Sequence, residues 1–223
     1  MKVIINSAMT VDGKIATSSG DSKISSRQDL VRVHKLRASV DAIVVGISTI
    51  LADDPRLTVR LVKGKNPARV IVDSRARIPI DSQIMRTASK VRTIVAVTDK
   101  APEEKMTKLR DIGADVIVIS EGRKGRSAAV PHGVNLKLLF RKLEKMGLEK
   151  ILVEGGGELN WSLLHLWLVD ELIITVAPKI AGGRLATTLV EGDGFDEMAQ
   201  SIRLQLKKID RKKSGELVLY YKL

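Results

Sequence analysis

Short apolar runs alternate along this chain with longer segments in which apolar residues recur every three or four positions. The run at 41–46 is apolar without alternation, which is typical of a parallel strand that is buried on both faces. Similar runs predict other buried strands. The predicted strands cover residues 2–8, 41–46, 68–74, 92–98 and 114–120, with another that begins at residue 150.

The predicted helices carry start and stop signals. Ser25 or Ser26 caps a helix over 27–37, and a short helix that begins at residue 48 stops before Pro55. Further helices follow at 101–113 and 134–147, each closed by a glycine, and after the glycine turn at 155–157. Their apolar faces contain Leu30, Val33 and Leu36 in the first helix, and Leu136, Leu139, Leu143 and Met146 in the helix over 134–147.

The C-terminal part of the chain has a different pattern. A long strand is predicted at 169–183, and the segments 201–210 and 216–223 alternate apolar and polar residues around a turn at 213–215, which predicts an antiparallel hairpin. A basic, flexible loop is expected at 121–133. The whole pattern predicts an α/β fold: one domain over 1–223, with a mixed sheet flanked by helices and a C-terminal hairpin.

Composition excludes several kinds of site. The 223 residues include no cysteine and only three histidines that are far apart in sequence, so thiolate chemistry is excluded and no metal site is expected. No apolar run reaches the length of a membrane span, and a cytoplasmic location is the default expectation. The lack of cysteine together with 29% charged residues is typical of a thermophile.

The net charge of +12 raises the question of nucleic-acid binding. However, the positive charge is spread along the whole chain, and aromatic residues, which stack on single strands, make up only 3%. A solvated basic surface and a pocket for a phosphorylated ligand both remain open as explanations.

The clearest local motif is Glu154 followed by Gly155, Gly156 and Gly157, between a predicted strand and a predicted helix. Glycines allow backbone N–H groups to approach a phosphate, and the start of a helix favours negative charge, so the turn suits a pyrophosphate. The carboxylate of Glu154 suits a heterocycle with paired N–H donors. A tight turn with a structural carboxylate is the alternative.

Two further polar clusters follow predicted strands. Ser74 with Arg75 and Arg77 forms a candidate site for the 2′-phosphate of NADPH, since guanidinium groups pair with phosphate oxygens, although ordinary surface arginines would look the same. Asp53 and Asp54 lie near arginines and could equally form a solvated turn. The histidines at 34 and 165 are expected at the surface or at the edge of the core.

Several segments together carry a resemblance to a family. They read AMTVDGKIA, VGISTILADDPRLTVR, VIVDSRARIP, ILVEGGGELNWSLL and LVDELIITVAPKIAGG, in this order and followed by the hairpin. The chain resembles the pyrimidine reductases of riboflavin biosynthesis, which are similar in fold to dihydrofolate reductase. Within that family it is most similar to the archaeal stand-alone 2,5-diamino-6-ribosylamino-4(3H)-pyrimidinone 5′-phosphate reductases.

The resemblance implies an enzyme that uses NADPH, with NADH left open, to reduce the ribosyl group of a phosphoribosylamino-pyrimidine to a ribityl group. Asp53 and Glu154 are expected to orient the substrate, and Asp53 also to assist proton movement. The implied cofactor contacts are Thr49 and Asp53 at the nicotinamide ribose, Ser74 at the adenosine phosphate, and Gly156, Gly157, Glu158 and Leu159 at the pyrophosphate. The implied substrate contacts are Ser22, Arg37, Leu57, Arg60 and Glu154.

Other functions stay open. Bacterial members carry a zinc deaminase domain in front of the reductase, and its absence here favours the diamino substrate over 5-amino-6-(5-phosphoribosylamino)uracil without deciding between them. Bacterial relatives also place a tryptophan near Ile24, so its absence leaves one cofactor contact in doubt. A dihydrofolate reductase-like enzyme and a nucleic-acid-binding module are weaker alternatives. By resemblance, a homodimer is expected.

Overall fold

The computed structural model describes residues 1–119 and 133–223, and these ranges form one nine-stranded sheet with five α-helices. Apart from Gly133, the predicted loop at 121–133 lies outside them. The strands are β1 (Lys2–Thr10), β2 (Ala42–Gly46), β3 (Ala68–Val72), β4 (Thr93–Val97), β5 (Asp115–Val118), β6 (Lys150–Val153), β7 (Glu171–Ala177), β8 (Gln205–Arg211) and β9 (Leu217–Lys222). The helices are α1 (Arg27–Arg37), α2 (Ile47–Asp53), α3 (Glu103–Asp111), α4 (Leu136–Lys145) and α5 (Gly157–His165).

The sheet has the strand order β5-β4-β3-β2-β6-β1-β7-β9-β8. Neighbouring strands from β5 to β7 are parallel, whereas β9 pairs antiparallel with both β7 and β8. The hairpin turn places Gly215 at a φ of 85°, where a side chain would be strained. The predicted α/β fold with a mixed sheet and a C-terminal hairpin is therefore confirmed.

Helices cover both faces of the sheet, and each face has its own apolar core. Along β1, Val3 and Ile5 join the core that contains α4 and α5, while Ile4 joins the core that contains α2 and α3. This division follows from the alternation of side chains along a strand. Leu36 of α1 packs on the second core, so α1 lies on the same face as α2 and α3.

Three details differ from the sequence predictions or sharpen them. The cap of α1 is Ser26, whose side chain accepts a hydrogen bond from the backbone N–H of Asp29 at 3.2 Å. Leu30 lies on the predicted apolar face but is 44% exposed. Strand β7 ends at Ala177 instead of continuing to residue 183, because Pro178 has no N–H to donate to a neighbouring strand.

No helix in 1–119 or 133–223 is long and apolar enough to cross a membrane.

Candidate active site

A cleft of about 340 Å³ opens toward the carboxyl ends of the central parallel strands. Open α/β sheets bind ligands at this edge, because the loops that follow neighbouring strands meet there. Its walls come from β1, from the loop before α1, from α1 and α2, and from the turn after β6. Six residues predicted from the sequence line it, namely Ser22, Thr49, Asp53, Glu154, Gly155 and Gly156.

An ion pair between Arg37 and Glu154 borders this cleft. Arg37 Nε donates to Glu154 Oε1 at 2.8 Å and Nη2 donates to Oε2 at 2.6 Å, with side chains only 13% and 10% exposed. Burial lowers the pKa of Arg37, but the carboxylate of Glu154 more than offsets this, and the net shift is upward. Because one guanidinium group occupies both oxygens, Glu154 is less free to bind a heterocycle than its position in the sequence predicts.

Positive charge accumulates beside this pair. Burial lowers the pKa of Arg60, and the charges of Arg37 and Arg56 lower it further, so Arg60 lies close enough to each of them to be repelled. The Glu154 carboxylate holds Arg37, whereas Arg56 Nε donates to Gln83 Oε1 and Arg60 Nη1 to Thr58 Oγ1, both neutral acceptors. Such an excess of positive charge suits a phosphate group, whose oxygens pair with guanidinium N–H groups.

His34 anchors the loop that carries Arg60. Its Nδ1 accepts hydrogen bonds from the backbone N–H of Arg60 at 2.8 Å and of Leu61 at 3.3 Å. The side chain is 3% exposed, so the expectation of a surface or core-edge histidine is wrong for this residue. The reason is that the loop after α2 folds over α1 and covers it. An accepting Nδ1 requires the neutral ring.

We expect the stability of the protein to fall below about pH 6.5 because of His34. Burial is the main cause that lowers its pKa, followed by the charges of Arg37 and Arg60, and Glu154 only partly opposes them. The unfolded chain therefore binds the proton first as the pH decreases, which favours unfolding between the unfolded and the folded pKa.

Chemical denaturation between pH 7.5 and 5 would measure this loss of stability. The matched variant is His34→Asn, whose carbonyl oxygen keeps an acceptor near Nδ1 without titrating. We expect a smaller loss of stability for this variant over the same range. Equal pH dependence in the two proteins would contradict the role of His34.

The loop after α2 also depends on buried polar contacts that the sequence did not reveal. Arg69 is fully buried in β3, and burial lowers its pKa to about 10. Its guanidinium group donates to carbonyl and hydroxyl oxygens, including Thr93 Oγ1 at 2.6 Å and the carbonyl of Arg56 at 3.4 Å. Leu57, which follows, has a φ of 48° and a side chain in the core, so only its backbone is available to a substrate.

The glycine turn after β6 has two different parts. Gly155 has a φ of 102° and faces open space, and a Cβ on Gly156 would lie 3.7 Å from Thr49 Oγ1 in the cleft. Gly157 is instead covered by the chain, since a Cβ there would lie 2.7 Å from the carbonyl oxygen of Thr188. Leu159 also has its side chain in the core. A ligand can therefore meet Gly157 and Leu159 only through backbone N–H groups at the start of α5.

Acidic groups surround the start of α5. The pKa of Glu158 is raised, mainly by burial and then by the charges of Glu191 and Asp193. These charges oppose the binding of an anion at Glu158, although the sequence resemblance places a pyrophosphate there. Gly155 and Gly156 line the cleft, whereas Glu158 does not.

Asp53 lies at the solvent-exposed rim of the cleft, at the end of α2. Ser22 Oγ donates to its Oδ2 at 3.0 Å. Partial burial raises the pKa of Asp53, the Ser22 hydrogen bond opposes this shift, and the charge of Asp21 adds to it. Asp53 therefore holds its proton to a higher pH than an ordinary aspartate, which suits a proton donor.

The predicted anion site at the end of β3 is separate from the lining of this cleft. Ser74, Arg75 and Arg77 do not line the cleft. Arg75 is exposed, while Arg77 Nε lies 3.6 Å from Asp73 Oδ1. Ile24, where the resemblance left a cofactor contact in doubt, is buried and also lies outside the lining of the cleft.

Comparison with known proteins decides the family. The sequence profile of the RibD C-terminal domain matches residues 1–218. The chain belongs to the RibD C-terminal domain family. It is 49% identical over 209 residues to the 2,5-diamino-6-ribosylamino-4(3H)-pyrimidinone 5′-phosphate reductase of Methanothermobacter thermautotrophicus, and the match covers 92% of this chain and 91% of that protein.

Solved structures agree with this membership of the RibD C-terminal domain family. RibD from Acinetobacter baumannii superposes with a TM-score of 0.80 at 28% identity, over 99% of this chain and 57% of that one. This chain thus spans little more than half of that protein. Dihydrofolate reductase from Enterococcus faecalis, with a TM-score of 0.53 at 13% identity over 99% of this chain and 95% of that one, shares the fold alone. The predicted likeness to dihydrofolate reductase is confirmed at the level of the fold.

Sequence reasoning missed several residues of this RibD-type cleft, and Asn6 is the most polar and most buried example that interrupts an apolar strand. Asn6 lines the cleft from the middle of β1 and is 6% exposed. The available signal was a polar residue that interrupts an otherwise apolar strand, where a buried amide needs a partner.

Proposed function

We propose that this chain reduces the ribosyl group of 2,5-diamino-6-ribosylamino-4(3H)-pyrimidinone 5′-phosphate to a ribityl group, with a nicotinamide cofactor. The relative from M. thermautotrophicus that bears this name supports the proposal, because it matches nearly the whole chain at 49% identity. The observation that carries the proposal is the group of guanidinium side chains next to Glu154; these arginines do not themselves line the cleft, but Glu154, which binds Arg37, does. Arg37, Arg56 and Arg60 would bind the 5′-phosphate and hold the sugar in the cleft.

A nicotinamide cofactor fits the other side of the cleft. The open face of Gly155 leaves room for a phosphate close to the backbone, and Thr49 Oγ1 stands next to Gly156. The N–H groups in the first turn of α5 have no acceptor within the helix and could complete the pyrophosphate site. We further propose NADPH as the cofactor, with Ser74, Arg75 and Arg77 at its 2′-phosphate. The exposed Arg75 would contribute most, since Arg77 is partly engaged with Asp73.

The residues of the cleft suggest how the sugar reacts. The ribosylamine opens when its ring oxygen takes a proton and the bond from that oxygen to C1′ breaks, which leaves a double bond between C1′ and nitrogen. Asp53, with its raised pKa, would donate this proton. The cofactor supplies the hydride that C1′ then accepts. Arg37 and Glu154 would hold the substrate in a fixed orientation for this transfer.

The substrate can be tested by following the near-ultraviolet absorbance of NADPH with the 2,5-diaminopyrimidinone phosphate and with its deaminated uracil analogue. We expect kcat/KM to be about tenfold or more higher with the diamino compound, a typical discrimination for one polar group. A preference for the uracil analogue would still identify the protein as a reductase, but it would mean that the pyrimidine is deaminated before its ribosyl group is reduced. No oxidation of NADPH with either compound would overturn the proposed function.

The dephosphorylated diamino compound is the control for the guanidinium cluster. It should react more slowly with the wild-type protein, and Arg60→Gln should have little effect on that reaction. Homodimer formation stays a prediction of the family resemblance, and a cytoplasmic location stays a prediction from composition.

A further inference from the structure

Asn6 lines the cleft and has a buried side-chain oxygen without a hydrogen-bond partner in the described part of the chain. Its side chain is 6% exposed, and Oδ1 has no hydrogen-bond partner among residues 1–119 and 133–223. Buried polar atoms in folded proteins are almost always paired, because an unpaired buried acceptor destabilises the fold. A polar atom buried in this way in the wall of a cleft therefore indicates a ligand that donates to it.

The register of the sheet places Asn6 beside Glu154. Ile5 pairs with Val153 across β1 and β6, so the next residues along the two parallel strands are Asn6 and Glu154. Strand alternation puts Asn6 on the same face as Ile4, which belongs to the core on the side of α2 and α3. The side-chain amide therefore lies at the bottom of the cleft, on the face of the sheet that α1 covers.

Asn6 and Glu154 differ in what they can still accept. Both carboxylate oxygens of Glu154 are held by Arg37, at 2.8 and 2.6 Å, whereas Asn6 Oδ1 is unpaired. Asn6 also lies across β6 from α2, which carries Thr49 next to the glycine turn. The neighbour of Asn6 in the sheet, Glu154, is paired with Arg37, and both are assigned above to the substrate, which favours a substrate contact for Asn6.

We propose that Asn6 is a substrate-binding residue: its side-chain amide turns its carbonyl oxygen toward the cleft and accepts a hydrogen bond from an N–H or O–H group of the phosphoribosylamino-pyrimidine. This inference rests on the proposed function, since it names a contact of the same substrate. The sequence motif alone would make Glu154 the acceptor for a donor group of the substrate, whereas this inference gives that role to Asn6. The side-chain oxygen of Asn6 lacks a hydrogen-bond partner among the described residues because the substrate supplies that partner when it binds.

The test is Asn6→Leu, which keeps the size of the side chain and removes its polar atoms. We expect kcat/KM for the diamino substrate to fall about 10- to 100-fold, since a donor of the substrate is left unpaired. The Tm of the protein without ligands should be unchanged or higher, because the variant removes an unsatisfied buried acceptor. The Kd for NADPH should stay within about twofold. A merely structural asparagine would instead give a lower Tm.

Asn160→Leu is the matched control. Asn160 is fully buried and also has an unpaired Oδ1, but its Nδ2 donates to the carbonyl of Leu189 at 2.8 Å and it does not line the cleft. This variant should lower Tm, because the Leu189 carbonyl loses its partner, and should leave the KM for the diamino substrate unchanged.

The outcomes separate this inference from the proposed function. Lack of turnover by the wild-type protein would overturn the function itself. Normal wild-type turnover together with unchanged kcat/KM in Asn6→Leu would overturn the role of Asn6 alone. Weaker NADPH binding by Asn6→Leu, with an unchanged KM for the diamino substrate, would overturn the assignment to the substrate.

Discussion

Replacement of Arg37 by methionine should lower the free energy of unfolding by about 3–5 kcal/mol, the usual cost of leaving one partner of a buried ion pair alone. Glu154 would keep its charge in a site that is 10% exposed, without the two hydrogen bonds that Arg37 donates at 2.8 and 2.6 Å. The carbonyl of Thr58, which accepts from Arg37 at 3.2 Å, would lose its donor as well. Urea denaturation at pH 7 measures the loss.

The double variant Arg37→Met with Glu154→Leu separates stability from function. Removal of both charges should recover most of the lost stability, because an apolar pair of similar volume replaces a buried ion pair at little cost. Reduction of the diamino substrate should stay impaired, since the phosphate site has lost a guanidinium group. If Arg37→Met were as stable as the wild-type protein, the ion pair could not be the buried, paired contact described here.

Replacement of Asp53 by asparagine should lower kcat by about 100- to 10,000-fold, the range in which a positioned general acid contributes. The KM for the substrate should change much less, because in the proposed mechanism Asp53 would act on the proton, whereas Arg37, Arg56 and Arg60 would hold the phosphate. The stability at neutral pH should be unchanged or higher. The pKa of Asp53 is raised in the folded protein, so its ionised form weakens the fold above that pKa. Full turnover by the asparagine variant would exclude Asp53 as the acid.

The pH dependence of kcat gives a second test of the same role. In the wild-type protein kcat should fall as the pH rises through the raised pKa of Asp53, because the proton donor is lost. Ser22→Ala removes the hydrogen bond at 3.0 Å that favours the ionised carboxylate, so this fall should move to higher pH. An unmoved profile in Ser22→Ala would indicate that another group supplies the proton.

The sequence determined most of the secondary structure, because strands and helices bury apolar residues with different periods. The apolar run at 42–45, within the strand predicted at 41–46, identified β2 as a parallel strand, and the alternation in 201–210 and 216–223 identified the hairpin. The glycines at 155–157 marked a turn between a strand and a helix. These signals are local, so they can be read without knowing which segments are neighbours.

Motifs also pointed to part of the cleft lining, namely Ser22, Thr49, Asp53, Glu154, Gly155 and Gly156. They did not show what each side chain contacts. Arg37 and Glu154 are 117 positions apart, and only the packing of α1 over β6 pairs them. Whether Glu154 is free for a ligand is thus a property of the tertiary structure.

Tertiary structure alone decided the burial of polar residues. His34 is covered because the loop after α2 folds over α1. The side chain of Leu159 points into the core and not toward a ligand, because of the position of this residue around the axis of α5. Asn6 sits in the cleft because β1 lies between β6 and β7 in the centre of the sheet and runs past the end of β6. Strand order depends on contacts between distant segments, and the period of one strand carries no information about its neighbours.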